Sequence, residues 1–154
     1  PAHTSGAVAF SVSPSAAHDA PYAVFTGDTL FAAGCGRLFE GTASMMHRAL
    51  DEVLGALPGG CAVYPGHEYA EKNLRFAATV EPANERVRAR LLEVSARRAK
   101  GEACVPSTVA LERETNPFMR VREEGVRAFA RARGASENDP AQVLGAVRSA
   151  RDVY

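Results

Sequence analysis

The chain has 154 residues, of which 46% are apolar and 23% charged, with a formal net charge of zero. That length suits one domain or two small ones around a shared core, and that balance excludes wholesale disorder. Zero net charge argues against a general nucleic-acid binder, and no apolar run approaches the ~18 residues that span a bilayer, so neither nucleic acid nor membrane is an expected partner.

Pro1 is not an initiator methionine, and Pro1 to Gly6 reads as a turn entering a strand, so further chain is expected to precede it. Val8, Phe10 and Val12 alternate with small residues and predict a strand over 7–12, followed by a polar loop over 13–21 that holds a solvated His18. The β-prone run 22–26 ends at Gly27-Asp28, which places Asp28 at the carboxyl end of a strand, where sites gather in layered α/β proteins. Gly34, Gly36 and Gly41 punctuate a loop, and Thr42 caps a helix reaching about Leu57. Met45 and Met46 are core candidates on that helix, whereas His47 reads as a surface or boundary residue.

A strand over 61–64 leaves through Pro65-Gly66-His67 into an amphipathic helix containing Tyr69, Leu74 and Phe76. Beyond Glu81-Pro82 the pattern becomes helical: about 84–100, 108–114 after a Thr108 cap, 123–131, and a last helix opened by Asp139-Pro140. The boundary between the two characters falls at 80–83. Asn116-Pro117-Phe118 reads as a structural turn with a buried aromatic.

Charge is unevenly spread. Residues 1–69 hold two basic side chains, Arg37 and Arg48, against six acidic ones, so the second half is basic by the same margin and suits a small anion, if it is more than a solvated helix face. Three cysteines, Cys35, Cys61 and Cys104, fit neither a disulfide framework nor a Cys-x-x-Cys zinc knuckle and point to a reducing compartment; Cys35 reads as a packed structural thiol.

His3, Asp28 and His67 lie just outside predicted strands and beside glycines, which let backbone and ligand approach closely. Imidazole plus carboxylate suits zinc, iron or manganese. On spacing alone, surface or capping roles stand as the alternative.

The words around these residues resemble the carboxyl-terminal portion of glyoxalase II, the hydroxyacylglutathione hydrolases of the metallo-β-lactamase superfamily. They include His3-Thr-Ser-Gly6, Val24-Phe-Thr-Gly-Asp-Thr-Leu-Phe31, Ala33-Gly-Cys-Gly-Arg37, Val63-Tyr-Pro-Gly-His-Glu-Tyr69, Asn73-Leu-Arg-Phe-Ala77 and Asn116-Pro-Phe-Met-Arg-Val121. The resemblance implies an α/β fold: residues 1–82 as the second half of a metallo-β-lactamase-type αββα sandwich, and 83–154 as an all-helical, glutathione-binding domain.

It also implies a thioester hydrolase that converts S-D-lactoylglutathione to D-lactate and glutathione, in methylglyoxal detoxification, in the cytoplasm or mitochondrion. Two divalent metal ions, zinc with iron or manganese possible, would be held by His3, Asp28 and His67, with Asp28 bridging and a metal-bridging hydroxide attacking the carbonyl. Arg37, Phe39, Tyr69, Arg148 and Arg151 would bind glutathione, with Arg148 and Arg151 sharing a helix face as a carboxylate fork. Phe39 departs from a pattern that often has tyrosine.

The superfamily's Thr-His-x-His-x-Asp-His motif is not in these 154 residues. The expectation is therefore a chain that is metal-free and inactive alone and becomes catalytic with an amino-terminal half bearing that motif, in cis or in trans. Without that half, the first strands are expected to show an open sheet edge and an uncovered apolar face. The rival readings are a non-catalytic glyoxalase II-like structural or interaction subunit, and a sibling persulfide dioxygenase with one iron.

Overall fold

The computed structural model describes residues 1–13 and 22–154; His18 lies outside them. Along the chain run β1 (Phe10–Val12), β2 (Ala23–Gly27), β3 (Leu30–Phe31), β4 (Gly34–Cys35), α1 (Ala43–Arg48) and β5 (Ala62–Pro65), then α2 (Ala70–Val80), α3 (Glu85–Ala99), β6 (Ser107–Thr108), α4 (Val109–Thr115), α5 (Glu124–Arg131) and α6 (Pro140–Asp152). No helix among the described residues is long and apolar enough to cross a membrane.

Caps fall where the side chains predict them. Thr42, Asn84, Thr108 and Asp139 each accept a backbone N–H from the first turn of α1, α3, α4 and α6, and Pro140 opens α6 at a position that needs no N–H. Past Arg48, α1 continues as a wider π-helical turn, Ala49–Leu54. Met46 and Leu50 on this helix are fully buried, whereas Met45 is 41% exposed. Met45 therefore is not core: it faces an apolar groove shared with Val8 and Val53, one residue round from the buried stripe.

The main sheet has order β1-β2-β5-β6, parallel between β2 and β5 and antiparallel at both edges. β6 corrects the expectation of an all-helical second part. Ser107 and Thr108 pair with Val63 and Ala62, because a two-residue extended step leading into the α4 cap can satisfy the free edge of β5. β1 is also shorter than predicted, since only Phe10, Ser11 and Val12 find partners, opposite Phe25, Val24 and Ala23.

The sheet's two faces differ sharply. Val24, Thr26 and Val63 point inward and are at most 2% exposed. On the other face Phe10, Phe25 and Tyr64 sit side by side across β1, β2 and β5, and all three are exposed, with the Phe25 and Tyr64 rings stacked at 5.1 Å. The larger buried cluster joins Val24, Leu30 and Val63 to Met46 and Leu50 and onward to Phe76, Phe118 and Leu144, so one core runs from the sheet into the helices.

A small hairpin, β3 and β4, lies between Asp28 and Arg37, and four of its backbone groups are taken up by side chains on or beside the surrounding helices. Asn73 donates to Ala32 O at 3.1 Å, Asn116 donates to Gly34 O at 3.0 Å, Arg148 donates to Cys35 O at 2.8 Å, and the Glu112 carboxylate accepts from Ala33 N at 2.7 Å. Ala33 sits at φ 55, an uncommon conformation for a residue with a Cβ, and that hydrogen bond helps hold it there. The helices thus act as the mould of a loop whose ends carry site residues.

Candidate active site

Three separated segments converge at one end of β2 and β5. Gly27 leaves β2 at φ 51, and its carbonyl accepts from Gly66 N at 2.8 Å, which binds the two strand exits together. A Cβ on Gly66 would come within 2.7 Å of Asp28 Oδ1, and one on Gly36 would come within 2.0 Å of the Asp28 carbonyl oxygen and 3.0 Å of His3 Nδ1. These glycines are required by close approach. His3 is fixed by its neighbours: Ala2 is fully buried, Gly41 N donates to Ala2 O at 3.0 Å, and Ser5 N donates to Glu40. That backbone hydrogen bond from Ser5 holds the Glu40 carboxyl below its usual range.

Each oxygen of Asp28 faces one imidazole. Oδ2 is 3.5 Å from His3 Nε2 and Oδ1 is 3.4 Å from His67 Nε2. His3 Nδ1 lies 3.0 Å from the Arg37 carbonyl oxygen, and since a carbonyl only accepts, Nδ1 carries the proton. The other ring nitrogen, Nε2, is thereby left to face Asp28 Oδ2, so that a cation between them would be held by both. A ring whose other nitrogen bonds a backbone carbonyl is also the usual setting of a metal-ligating histidine. The donor set, the fixed ring and the glycine cradle all fit a metal. Among the described residues, however, no group of three or more His, Cys, Asp or Glu forms a metal site by itself.

His3, Asp28 and His67 line a cavity of about 430 Å³. Arg37, Phe39, Tyr69, Arg148 and Arg151 line it too, together with Phe31, Cys35 and Asn73, so the eight site residues singled out from the sequence meet in one cavity. Phe39 lies 5.0 Å from the His3 ring, and Tyr69 stacks on His67 at 5.2 Å and meets Phe31 edge-on. Lys72 also lines the cavity and was not foreseen; its helical spacing of three from Tyr69 was the available signal.

The paired arginines are arranged differently from the expected fork. Arg148 is 94% buried: Nη1 donates to Cys35 O at 2.8 Å and Nη2 to Asp152 at 3.1 Å, leaving Nε buried without a partner. Arg151 donates to Asn73 Oδ1 at 3.3 Å, and its Nε is likewise unpartnered. Burial, with the repulsion of Arg148 second, pulls the Arg151 pKa down. Helical spacing puts both side chains on one side of α6, but Arg148 spends its fork tying α6 to the β3–β4 hairpin. Asp152 also lies 3.4 Å from Arg37 Nε and so links Arg37 to α6.

Cys35 is buried, and desolvation pushes its thiol up to about 11 against the opposing pull of Arg148, so it is a packing group without nucleophilic character. His47 is a boundary residue, 3.6 Å from Asp51, and the three cysteines are free and buried.

Residues 68–154 match the family model described as the hydroxyacylglutathione hydrolase C-terminus. The chain belongs to the hydroxyacylglutathione hydrolase family. It is 47% identical over its full length to the hydroxyacylglutathione hydrolase of Cupriavidus taiwanensis, of which it covers 56%, and 44% identical to that of Brucella anthropi, of which it covers 55%. A probable hydroxyacylglutathione hydrolase of Schistosoma mansoni is 50% identical over 132 residues, 86% of this chain and 53% of the relative. The chain thus spans about half the length of the curated hydroxyacylglutathione hydrolases it matches.

Proposed function

We propose that this chain is the carboxyl-terminal part of a hydrolase that cleaves hydroxyacylglutathione thioesters, S-D-lactoylglutathione among them, to the hydroxy acid and glutathione. The observation that carries the reading is a carboxylate, Asp28, flanked at each oxygen by an imidazole, in a cavity also lined by Arg37, Arg148 and Arg151. Reactive centre and anion grip lie within one cavity, as a substrate with a thioester and two carboxylates requires.

His3, Asp28 and His67 would hold two divalent metal ions, zinc with iron or manganese as alternatives, and these would supply an activated water and polarise the thioester carbonyl. The chain's own residues do the rest. Arg37 and Arg151 attract a glutathione carboxylate, Arg148 holds the hairpin that leads to Arg37, and the exposed rings of Phe39 and Tyr69 cover the thioester and shed water from it. The leaving group is a thiolate whose parent pKa is about 8.5, so no protein acid is needed to expel it.

Residues 1–82 are assigned to the second half of a metallo-β-lactamase-type sandwich and 83–154 to the helical glutathione-binding domain. An amino-terminal half bearing the His-x-His-x-Asp-His motif would complete the metal ligands and cover the Phe10, Phe25 and Tyr64 face. The exposure of that face and the greater length of the relatives support this arrangement.

The test compares the chain alone with the chain joined to such a half, loaded with zinc, for metal content and for loss of the thioester's ultraviolet absorbance. The joined protein is expected to bind two ions and hydrolyse S-D-lactoylglutathione, and the Asp28→Asn variant to do neither. Turnover by the isolated chain refutes the need for the other half; a joined, metal-loaded protein that leaves the thioester intact refutes the function.

A further inference from the structure

Resting on the hydrolase reading, we propose that Lys72 is a specificity-determining contact that takes one of the substrate's two carboxylates at a different rim of the cavity from Arg37. The main cavity adjoins two smaller ones. It shares Arg37, Phe39 and Arg148 with the first, and Tyr69 and Lys72 with the second, so Arg37 and Lys72 mark different rims.

Each arginine of the cavity has a protein partner, although Arg37, with its side chain 60% exposed, keeps room for a ligand. Arg37 is tied to Asp152, Arg148 to Cys35 O and Asp152, and Arg151 to Asn73. Lys72 is not. The two acids nearest to it in sequence are taken elsewhere, Glu71 by Arg75 and Ser95, and Glu68 by Arg98 and Cys104 N. Among the described residues no carboxylate oxygen lies within 4.0 Å of the Lys72 ammonium.

The helix does not explain this residue. Lys72 stands in the first turn of α2, next to the positive end of the helix dipole, where a cation is disfavoured and an acid preferred. An ammonium on a flexible stem at the rim is suited to a second carboxylate that does not require bidentate geometry. A dicarboxylate ligand would then be held at both ends, by Arg37 on one side and Lys72 on the other, with the thioester between them near Asp28.

The test uses the complete, metal-loaded protein and three thioesters: S-D-lactoylglutathione and its two monoamides, one with the γ-glutamyl carboxylate masked and one with the glycyl carboxylate masked. Lys72→Ala is expected to raise KM for the parent about three- to fivefold with kcat unchanged, and less so at high salt. Lys72→Arg restores the parent KM. The rise is expected to vanish for one monoamide and persist for the other, which identifies the carboxylate held. No rise, an equal rise for all three thioesters, or failure of Lys72→Arg to restore KM overturns the proposal. Absence of turnover by the unmutated protein instead overturns the hydrolase reading, and this inference with it.

Discussion

The buried carboxylate of Glu112 offers the sharpest test of how the helical part supports the site. Its Oε2 accepts from Ala33 N at 2.7 Å and from Asn116 Nδ2 at 2.9 Å, and its Oε1 accepts from Arg90 Nη2 at 2.7 Å and from Ser107. The side chain is fully buried and that of Arg90 is 5% exposed. Glu112→Gln keeps one acceptor oxygen but turns the other position into an N–H donor. If the oxygen stays with Arg90 and Ser107, the new amide confronts Ala33 N and Asn116 Nδ2, which are both donors. In that orientation Ala33 N loses its acceptor, at about 1–3 kcal/mol, while Asn116 Nδ2 keeps the Gly34 carbonyl. In the other, Ser107 can turn to accept from the new amide, but Arg90 Nη2 faces an N–H in place of an oxygen. Both orientations strip Arg90 of its counter-charge. Breaking a buried pair by removing one partner costs about 3–5 kcal/mol, so the substitution should lower unfolding free energy by about that much.

Urea unfolding of the complete protein followed by far-ultraviolet circular dichroism measures the loss. Because the hairpin between Asp28 and Arg37 hangs on this carboxylate, KM should also rise in whatever folded enzyme is left. A Glu112→Gln protein within about 1 kcal/mol of the parent would refute the claim that this network holds the hairpin.

Burial raises the Cys35 thiol from 9.0 to about 11, so the protonated thiol's contribution to stability is complete below pH 9 and is lost as pH climbs through about 11. Alkylation of native protein at pH 8, read by mass spectrometry, should be about a hundredfold slower at Cys35 than for free cysteine, and labelling at the free rate would contradict the packing account. Phe39 is 65% exposed at the cavity and lacks a hydroxyl, so Phe39→Tyr should lower KM for S-D-lactoylglutathione about two- to tenfold at constant kcat, with unfolding unchanged. An unaltered KM would remove that position from ligand binding.

Much of the architecture is legible in local chemistry. Caps at Thr42, Asn84, Thr108 and Asp139, and the strand exits at Gly27-Asp28 and Gly66-His67, are written in residue type and spacing, because capping and glycine turns are short-range effects. Helical periodicity likewise marks Met46 and Leu50 as core, although it does not separate Met46 from Met45 without knowing which face meets the sheet. The family words bring His3, Asp28, His67 and the basic residues into one expected site, and they do line one cavity.

Other features depend on partners distant in the chain, and only the tertiary structure decides them. β3, β4 and β6 are two-residue pairings too short for any periodicity to announce, and β6 exists because β5 offers it an edge. Spacing within α6 places Arg148 and Arg151 on one side, yet whether a guanidinium is free for a ligand depends on what lies opposite: Cys35 O, 113 residues away, claims Arg148. The same holds in reverse for Lys72, which in sequence is one lysine among acids and in the fold, among the described residues, is a cation that Glu71 and Glu68 leave unpaired. By itself the sequence determined residue chemistry and local conformation, because both are encoded within a few positions. The fold decided which charges are satisfied, because that depends on distance in space, which residues far apart in the chain set together.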